Sequence, residues 1–291
     1  AIITALLGIL GYFGVIPGGA VFTRYGRAMG AFQDPNVFGP YLVLPSVYLM
    51  YGLLDGKIST APLKVAGLIV LTLGVFLSFS RAAWGLFAFS MLALVLAMLV
   101  KRRTGGFRLK IGIMSAIGIV LLVAAIVVAL QIPQVASLFD DRAKLVQSYD
   151  GAHLGRFARH AIGFGWALDH PLGIGPLEFG LTLGEDTHNI WLKALMDYGW
   201  IGFISYVTLI AWTLALGIKY MFRDRPWQPY LMMTMVLIIG HTLIGNVIDT
   251  DHWRHFYLLM GIAWGCIALE KRWQTRLRIQ ARPNPAGSTA R

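Results

Sequence analysis

Residues 65–100 read VAGLIVLTLGVFLSFSRAAWGLFAFSMLALVLAMLV, 36 residues in which Arg81 is the only charged side chain. As one straight helix at ~1.5 Å per residue the stretch would be ~54 Å long, against a hydrocarbon core of ~30 Å. The chain must therefore turn near Arg81, and the run predicts two membrane-spanning helices. Leu, Ala, Ile and Gly dominate and long alternating strands are absent, so helices rather than a barrel satisfy the backbone in lipid.

Working outward, apolar runs separated by charged breaks predict about eight spans, near 1–22, 37–54, 65–80, 82–100, 111–130, 191–218, 228–248 and 255–270. The fold class is all-α, a polytopic transmembrane helix bundle. Composition agrees: 57% of the 291 residues are hydrophobic and 13% charged, far from soluble domains. Disorder, a disulfide-stapled secreted module and a soluble nucleic-acid binder are excluded. Cys266 is the single cysteine and forms no internal disulfide. The chain is apolar from Ala1, without the basic n-region of a signal peptide, and reads as a fragment of a longer polypeptide.

The net charge of +11 reports sidedness. Loops 55–64, 101–110 and 219–227 and the tail 271–291 hold 16 of the 25 basic residues, which makes that side cytoplasmic. The short loops opposite hold only Arg24, Arg27, Arg81 and Arg254. Segment 131–190 falls on the outer side, is too long for a connector and is expected to carry short amphipathic helices. All seven histidines lie in outer loops or outer halves of spans. The domain expectation is thus a membrane domain over 1–270, including loop 131–190, followed by a basic, disordered cytoplasmic tail over 271–291 near anionic lipid.

Three outer segments can carry chemistry. Arg81 reads either as a snorkelling flank residue or as a guanidinium able to grip a phosphate in bidentate fashion. In 154–166, Leu154, Phe157, Ala158, Ala161, Ile162 and Gly165 recur at helical spacing, with Arg156, Arg159, His160 and Gly163 on the opposite face. That helix either rests on headgroups or offers Arg156 and Arg159 to a pyrophosphate. A loop follows through Asp169-His170-Pro171-Leu172-Gly173-Ile174-Gly175-Pro176. His188 then stands at the mouth of a helix with Thr187 or Asp186 as N-cap. Asn189, Lys193 and Asp197, four apart, form a polar stripe with a Lys193/Asp197 pair. Gly199 breaks the pattern, leaving a short outer helix before a span from about 200. The third segment, Asp249-Thr250-Asp251-His252-Trp253-Arg254-His255, reads either as a metal-holding Asp-x-Asp loop or as an interfacial loop anchored by Trp253 and Tyr257.

His188-Asn189, nine residues, then Gly199-Trp200-Ile201-Gly202 resembles the His-Asn-x9-Gly-x-x-Gly signature of the bacterial O-antigen ligase family, shared more loosely with O-antigen polymerases and protein O-oligosaccharyltransferases. Gly30-Ala31-Phe32-Gln33-Asp34-Pro35-Asn36-Val37-Phe38-Gly39, Ser78-Phe79-Ser80-Arg81, and Gly155-Arg156 ahead of His170-Pro171-Leu172-Gly173-Ile174-Gly175 agree in order and side. The resemblance implies a GT-C-like bundle of about a dozen spans in the bacterial inner membrane, with its active site facing the periplasm. It implies a metal-independent, inverting transferase with no cofactor, moving a glycan from undecaprenyl pyrophosphate to a lipid A-core acceptor. His188 takes the role of general base. Arg81 and Arg156 take the role of pyrophosphate ligands, with Arg159 as the alternative to Arg156, and Asn189 joins the substrate-binding residues. An O-antigen polymerase or protein O-oligosaccharyltransferase shares the donor and differs in acceptor. From another class, an anionic glycolipid transporter or flippase would use the arginines without making a bond, yet most spans lack the midplane charges of transporters.

Overall fold

The computed structural model describes residues 1–143 and 155–281, except the side chains of Ile58, Arg156 and Phe157. Its elements are α1 (Ile2–Tyr12), a hairpin of β1 (Thr23–Arg24) and β2 (Arg27–Ala28), α2 (Pro35–Asp55), α3 (Ala61–Leu77), α4 (Arg81–Lys101), α5 (Gly105–Ala129), α6 (Pro133–Ala143), α7 (Arg156–Asp169), α8 (Glu178–Leu183), α9 (Ile190–Tyr220), α10 (Gln228–Ile244) and α11 (Arg254–Gln280). It is a polytopic all-α membrane protein. Among the described residues α2, α4, α5 and α9 are long and apolar enough to cross a bilayer, while α1, α3 and α10 are apolar but shorter.

The turn expected near Arg81 forms at Ser78–Ser80, where Phe79 takes φ 45° and the Ser80 hydroxyl caps α4 by accepting from the Ala83 N–H. Two expectations are corrected. The span near 1–22 is a helix only to Tyr12, because Pro17-Gly18-Gly19 breaks it and Gly14 and Gly18 adopt φ of 65° and 70°. The tail does not fray from 271: α11 runs on to Gln280, since 271–280 contains neither Pro nor Gly. The tail beyond 281 lies outside the described residues.

The loops grouped on charge meet at one end of the bundle. Lys64 Nζ donates to Gly52 O (2.8 Å), which also accepts from the Gly56 N–H, and Lys110 Nζ donates to Leu54 O (2.9 Å), so both cations sit on the carbonyls that end α2. Arg102 pairs with Asp55 (2.5 Å), Lys101 with Gln228, and buried Glu270 with Arg223 and Arg225 (3.1 Å each). Between the ends, small residues bring helices close. A Cβ on Gly39 of α2 would lie 2.6 Å from Ala83 Cβ, and one on Gly240 of α10 would lie 2.5 Å from Leu86 Cδ1. Phe38, Leu42, Leu86, Met235 and Leu237 fill the core that results. By contrast α5 buries only Ile111 among its described residues, leaving its apolar surface for lipid.

Candidate functional site

The other end of the bundle holds the histidines that are described. Lys101 at the end of α4 meets Gln228 at the start of α10, and Leu86 and Phe89 meet Gly240, so these helices run antiparallel. The start of α4 and the end of α10 therefore share this end, so half-buried Arg81 lies at the same end of the bundle as the chain that leads to Asp249. The turn before Arg81 is pinned by buried Arg27 from the hairpin, whose Nε donates to Ser78 O (2.7 Å) and whose Nη2 donates to Asn36 Oδ1 (2.8 Å).

Segment 155–189 packs on the outer limb of α9. The expected polar face of α7 does not point outward: Arg159 and Gly163 are buried, whereas Phe164 and Leu168 on the other face are exposed. A Cβ on Gly163 would lie 2.7 Å from Met196 Sδ, so this face needs a small residue to seat on α9. Arg159 donates to Asp186 O (3.4 Å) and pairs with Glu185. His160 Nε2 donates to Thr187 O (2.7 Å). The side chain of Arg156 lies outside the described residues.

The Gly-x-x-Gly half of the motif has a geometric cause. Gly199 sits at φ 64°, ψ −167°, which breaks α9 into an outer limb and a long inner one, as the sequence predicts. The break strands backbone groups, and the loop 171–175 satisfies them. Ile174 N donates to Met196 O (2.7 Å), Gly175 N to Asp197 O (3.2 Å) and Trp200 N to Pro171 O (3.1 Å). Gly173, at φ 89°, permits this approach: a Cβ there would lie 2.6 Å from Gly199 N. A Cβ on Gly199 would collide with Pro171 O.

His188 emerges from this scaffold at φ 53°, a conformation uncommon for a residue bearing a Cβ. The next residue holds it there. Asn189, not Thr187 or Asp186, is the N-cap, its Oδ1 accepting from Trp191 N (3.1 Å) and Leu192 N (3.0 Å). The N–H of Ile190 donates to Gly245 O (2.9 Å), tying this helix start to the end of α10. Lys193 bonds Asp186 (2.8 Å) rather than Asp197.

His188 Nδ1 donates to Asp249 Oδ2 (2.9 Å), and its Nε2 lies 3.8 Å from Glu185 Oε1. Asp249 is buried, and its Oδ1 has no hydrogen-bond partner among the described residues. A proton fixed on Nδ1 leaves the Nε2 lone pair exposed. Aspartate thus orients imidazole, and imidazole can accept a proton. Next in the loop, burial opposes ionisation of Asp251, but the hydrogen bond with His252 and the Lys193 ammonium hold its carboxyl below the usual carboxylate range. Among the described residues no three His, Cys, Asp or Glu side chains form a group that could hold a metal.

Direct contacts thus join Arg159, Glu185, His188 and Asp249, while Arg81 is brought to the same end and Asn189 is occupied as a cap. Sequence reasoning missed three members. In the sequence Asp249 reads only as part of a metal-holding or interfacial loop, 61 residues from His188. Glu185 and Arg27 were not singled out. The signal for Asp249 was its outer loop, since every outer loop must converge on the same end of the bundle.

No curated protein matches the chain significantly. Residues 66–207 match the family model described as O-antigen ligase, a stretch that contains Arg81, Arg159 and His188 but not Asp249. With its helices, its broken α9 and its His-Asn-x9-Gly-x-x-Gly motif, this part of the chain belongs to the O-antigen ligase family.

Proposed function

We propose that the protein is a ligase of the periplasmic face of the bacterial inner membrane, moving a glycan from undecaprenyl pyrophosphate to a sugar hydroxyl of a lipid A-core acceptor. The observation that carries this reading is the bond from His188 Nδ1 to buried Asp249, beside an arginine that is itself buried, Arg159. The donor already carries an activated anomeric carbon and a good leaving group. Catalysis therefore reduces to positioning, charge stabilisation and removal of one proton.

His188 Nε2 accepts the proton of the acceptor hydroxyl as its oxygen attacks the anomeric carbon. The bond from that carbon to the phosphate oxygen breaks, and both electrons leave with the undecaprenyl pyrophosphate. Attack from the face opposite the leaving group inverts the anomeric configuration. Arg81 and Arg159, with Arg156 at the start of α7, take the charge of the pyrophosphate. For Arg159 this means exchanging Glu185 for phosphate oxygens. Asp249 is a positioning residue, acting only through His188.

The test is reconstitution of the full chain in lipid nanodiscs with a labelled glycan on undecaprenyl pyrophosphate. Lipid A-core, a second lipid-linked repeat and a serine-bearing protein are offered separately. Label on lipid A-core is the expected result. Label on the second repeat or the protein alone replaces the ligase with a polymerase or a protein O-oligosaccharyltransferase. Absence of transfer to all three, in protein that binds donor, overturns the enzyme.

A further inference from the structure

Asp249 has a second set of neighbours besides His188. Lys193, one helical turn past the Asn189 cap, is only 7% exposed, and its Nζ donates to Asp186 Oδ2 (2.8 Å). Its charge acts further than that one bond. Asp249 and Asp251, in the loop between α10 and α11, lie within electrostatic reach of the Lys193 ammonium. So does buried Asp197, a further turn along the outer limb of α9. A single buried cation thus serves four carboxylates drawn from the loop before α9, from α9 itself and from the loop after α10. One oxygen each of Asp186, Asp197 and Asp249 is buried without a hydrogen-bond partner among the described residues. The charge on these oxygens is offset through space by Lys193 rather than by a contact of their own.

Burying an ammonium is costly unless carboxylates surround it, and as a mere structural pair Lys193 and Asp186 could be exchanged for apolar residues without loss. What an apolar pair could not supply is positive potential at Asp249. The charges that face His188 directly are Asp249 at Nδ1 and Glu185 beyond Nε2, and Glu185 is itself paired with Arg159 of α7. His160 of α7 is turned to Thr187 O, and the Asp251 carboxylate faces His252. Negative charge beside an imidazole favours its protonated form, which is no longer a base. Negative charge beside a buried carboxylate favours its protonation as well, and a protonated Asp249 no longer holds the tautomer with a free Nε2. Both effects point the same way: with its surroundings uncompensated, the His188–Asp249 pair would keep one proton too many.

We infer that Lys193 is a positioning residue of the proposed transferase, its ammonium offsetting the carboxylates around Asp249 so that the His188–Asp249 pair is short of one proton at neutral pH and can accept it from the attacking hydroxyl. This rests on the reading of His188 as the base. Lys193 touches neither substrate nor His188 in this role and acts only through the potential at Asp249.

Two substitutions with opposite effects on charge test it, in the full chain in nanodiscs. Lys193→Met keeps much of the side-chain length and removes the cation, whereas Asp186→Asn keeps the shape and removes one carboxylate. Without the cation the pair holds its proton to higher pH. The acid limb of the kcat/KM profile then moves up by about one pH unit, a tenfold loss on that limb that is recovered on raising the pH. Without the Asp186 carboxylate the limb moves down. Nitrogen NMR of labelled His188, titrated in both variants in the absence of substrate, moves in the same two directions. A Lys193 that only holds the fold lowers transfer at every pH and leaves limb and titration in place, and that result overturns the inference. Limbs that move the same way in both variants overturn it too. If Lys193→Met does not fold, Asp186→Asn decides alone, and a limb unmoved or raised overturns the inference. NMR titrations that move in opposite directions, in protein that transfers glycan to no acceptor, refute the transferase and leave the electrostatic coupling. Transfer with an unmoved limb refutes the role of Lys193 and leaves the transferase.

Discussion

Replacing Asp249 by Asn keeps the side chain's size and removes its charge, and the consequence can be worked from the geometry. Asp249 is buried and, among the described residues, accepts one side-chain hydrogen bond, from His188 Nδ1 at 2.9 Å. A charge-assisted hydrogen bond of this kind is worth about 2–3 kcal/mol. The carboxylate can only accept, so it enforces the imidazole tautomer whose Nε2 is free to take a proton. A carboxamide can also donate, and then stabilises the tautomer whose Nε2 carries hydrogen and is useless as a base. At about 1.36 kcal/mol per factor of ten, losing that preference lowers kcat roughly 30- to 150-fold. KM for donor should hold, because the arginines are untouched. The assay is steady-state transfer in nanodiscs, paired with nitrogen NMR of labelled histidine to read the tautomer of His188. A folded Asp249→Asn protein with wild-type kcat and a mixed tautomer would refute the reasoning.

Three further outcomes follow from the same contacts. Gly199→Ala forces a Cβ onto Pro171 O at a positive φ and should cost about 1–3 kcal/mol of stability, seen as a lower Tm in detergent. Arg27→Ala removes the hydrogen bonds to Ser78 O, in the turn before Arg81, and to Asn36 Oδ1. It should destabilise the fold by about 3 kcal/mol, because the Ser78 carbonyl is left buried and bare, again read as Tm. Glu185→Gln weakens the hold on Arg159. Since Glu185 is more than half exposed, the pair is screened, and KM for donor should fall only about two- to fivefold. An unchanged KM would show that Arg159 does not exchange partners.

Much of the fold was legible because lipid imposes strong rules. The 65–100 run had to turn at Arg81, and Gly199 had to interrupt a pattern too long for one helix. The cationic loops gather at one end, where Lys64 and Lys110 complete the α2 terminus. Charge counting finds such loops because Lys and Arg concentrate on one side of a membrane protein. What stayed hidden was tertiary. Periodicity in 154–166 separates two faces but not which one a neighbour covers, and Gly163 against Met196 settles that. The Lys193 ammonium had two carboxylates within reach, one on its own helix and one in the preceding loop, and spacing alone favoured the wrong one. Asp249 became a partner of His188 only through the antiparallel packing of α4 and α10, and the contact of Ile190 with Gly245.

The central claim is that His188 takes the proton of the attacking hydroxyl. Single-turnover transfer by His188→Ala in nanodiscs, with donor binding followed in the same sample, tests it most directly. The account predicts that the polyprenyl-pyrophosphate glycan is bound as in the wild type and that none of it reaches lipid A-core. Transfer at the wild-type rate by that variant would contradict it.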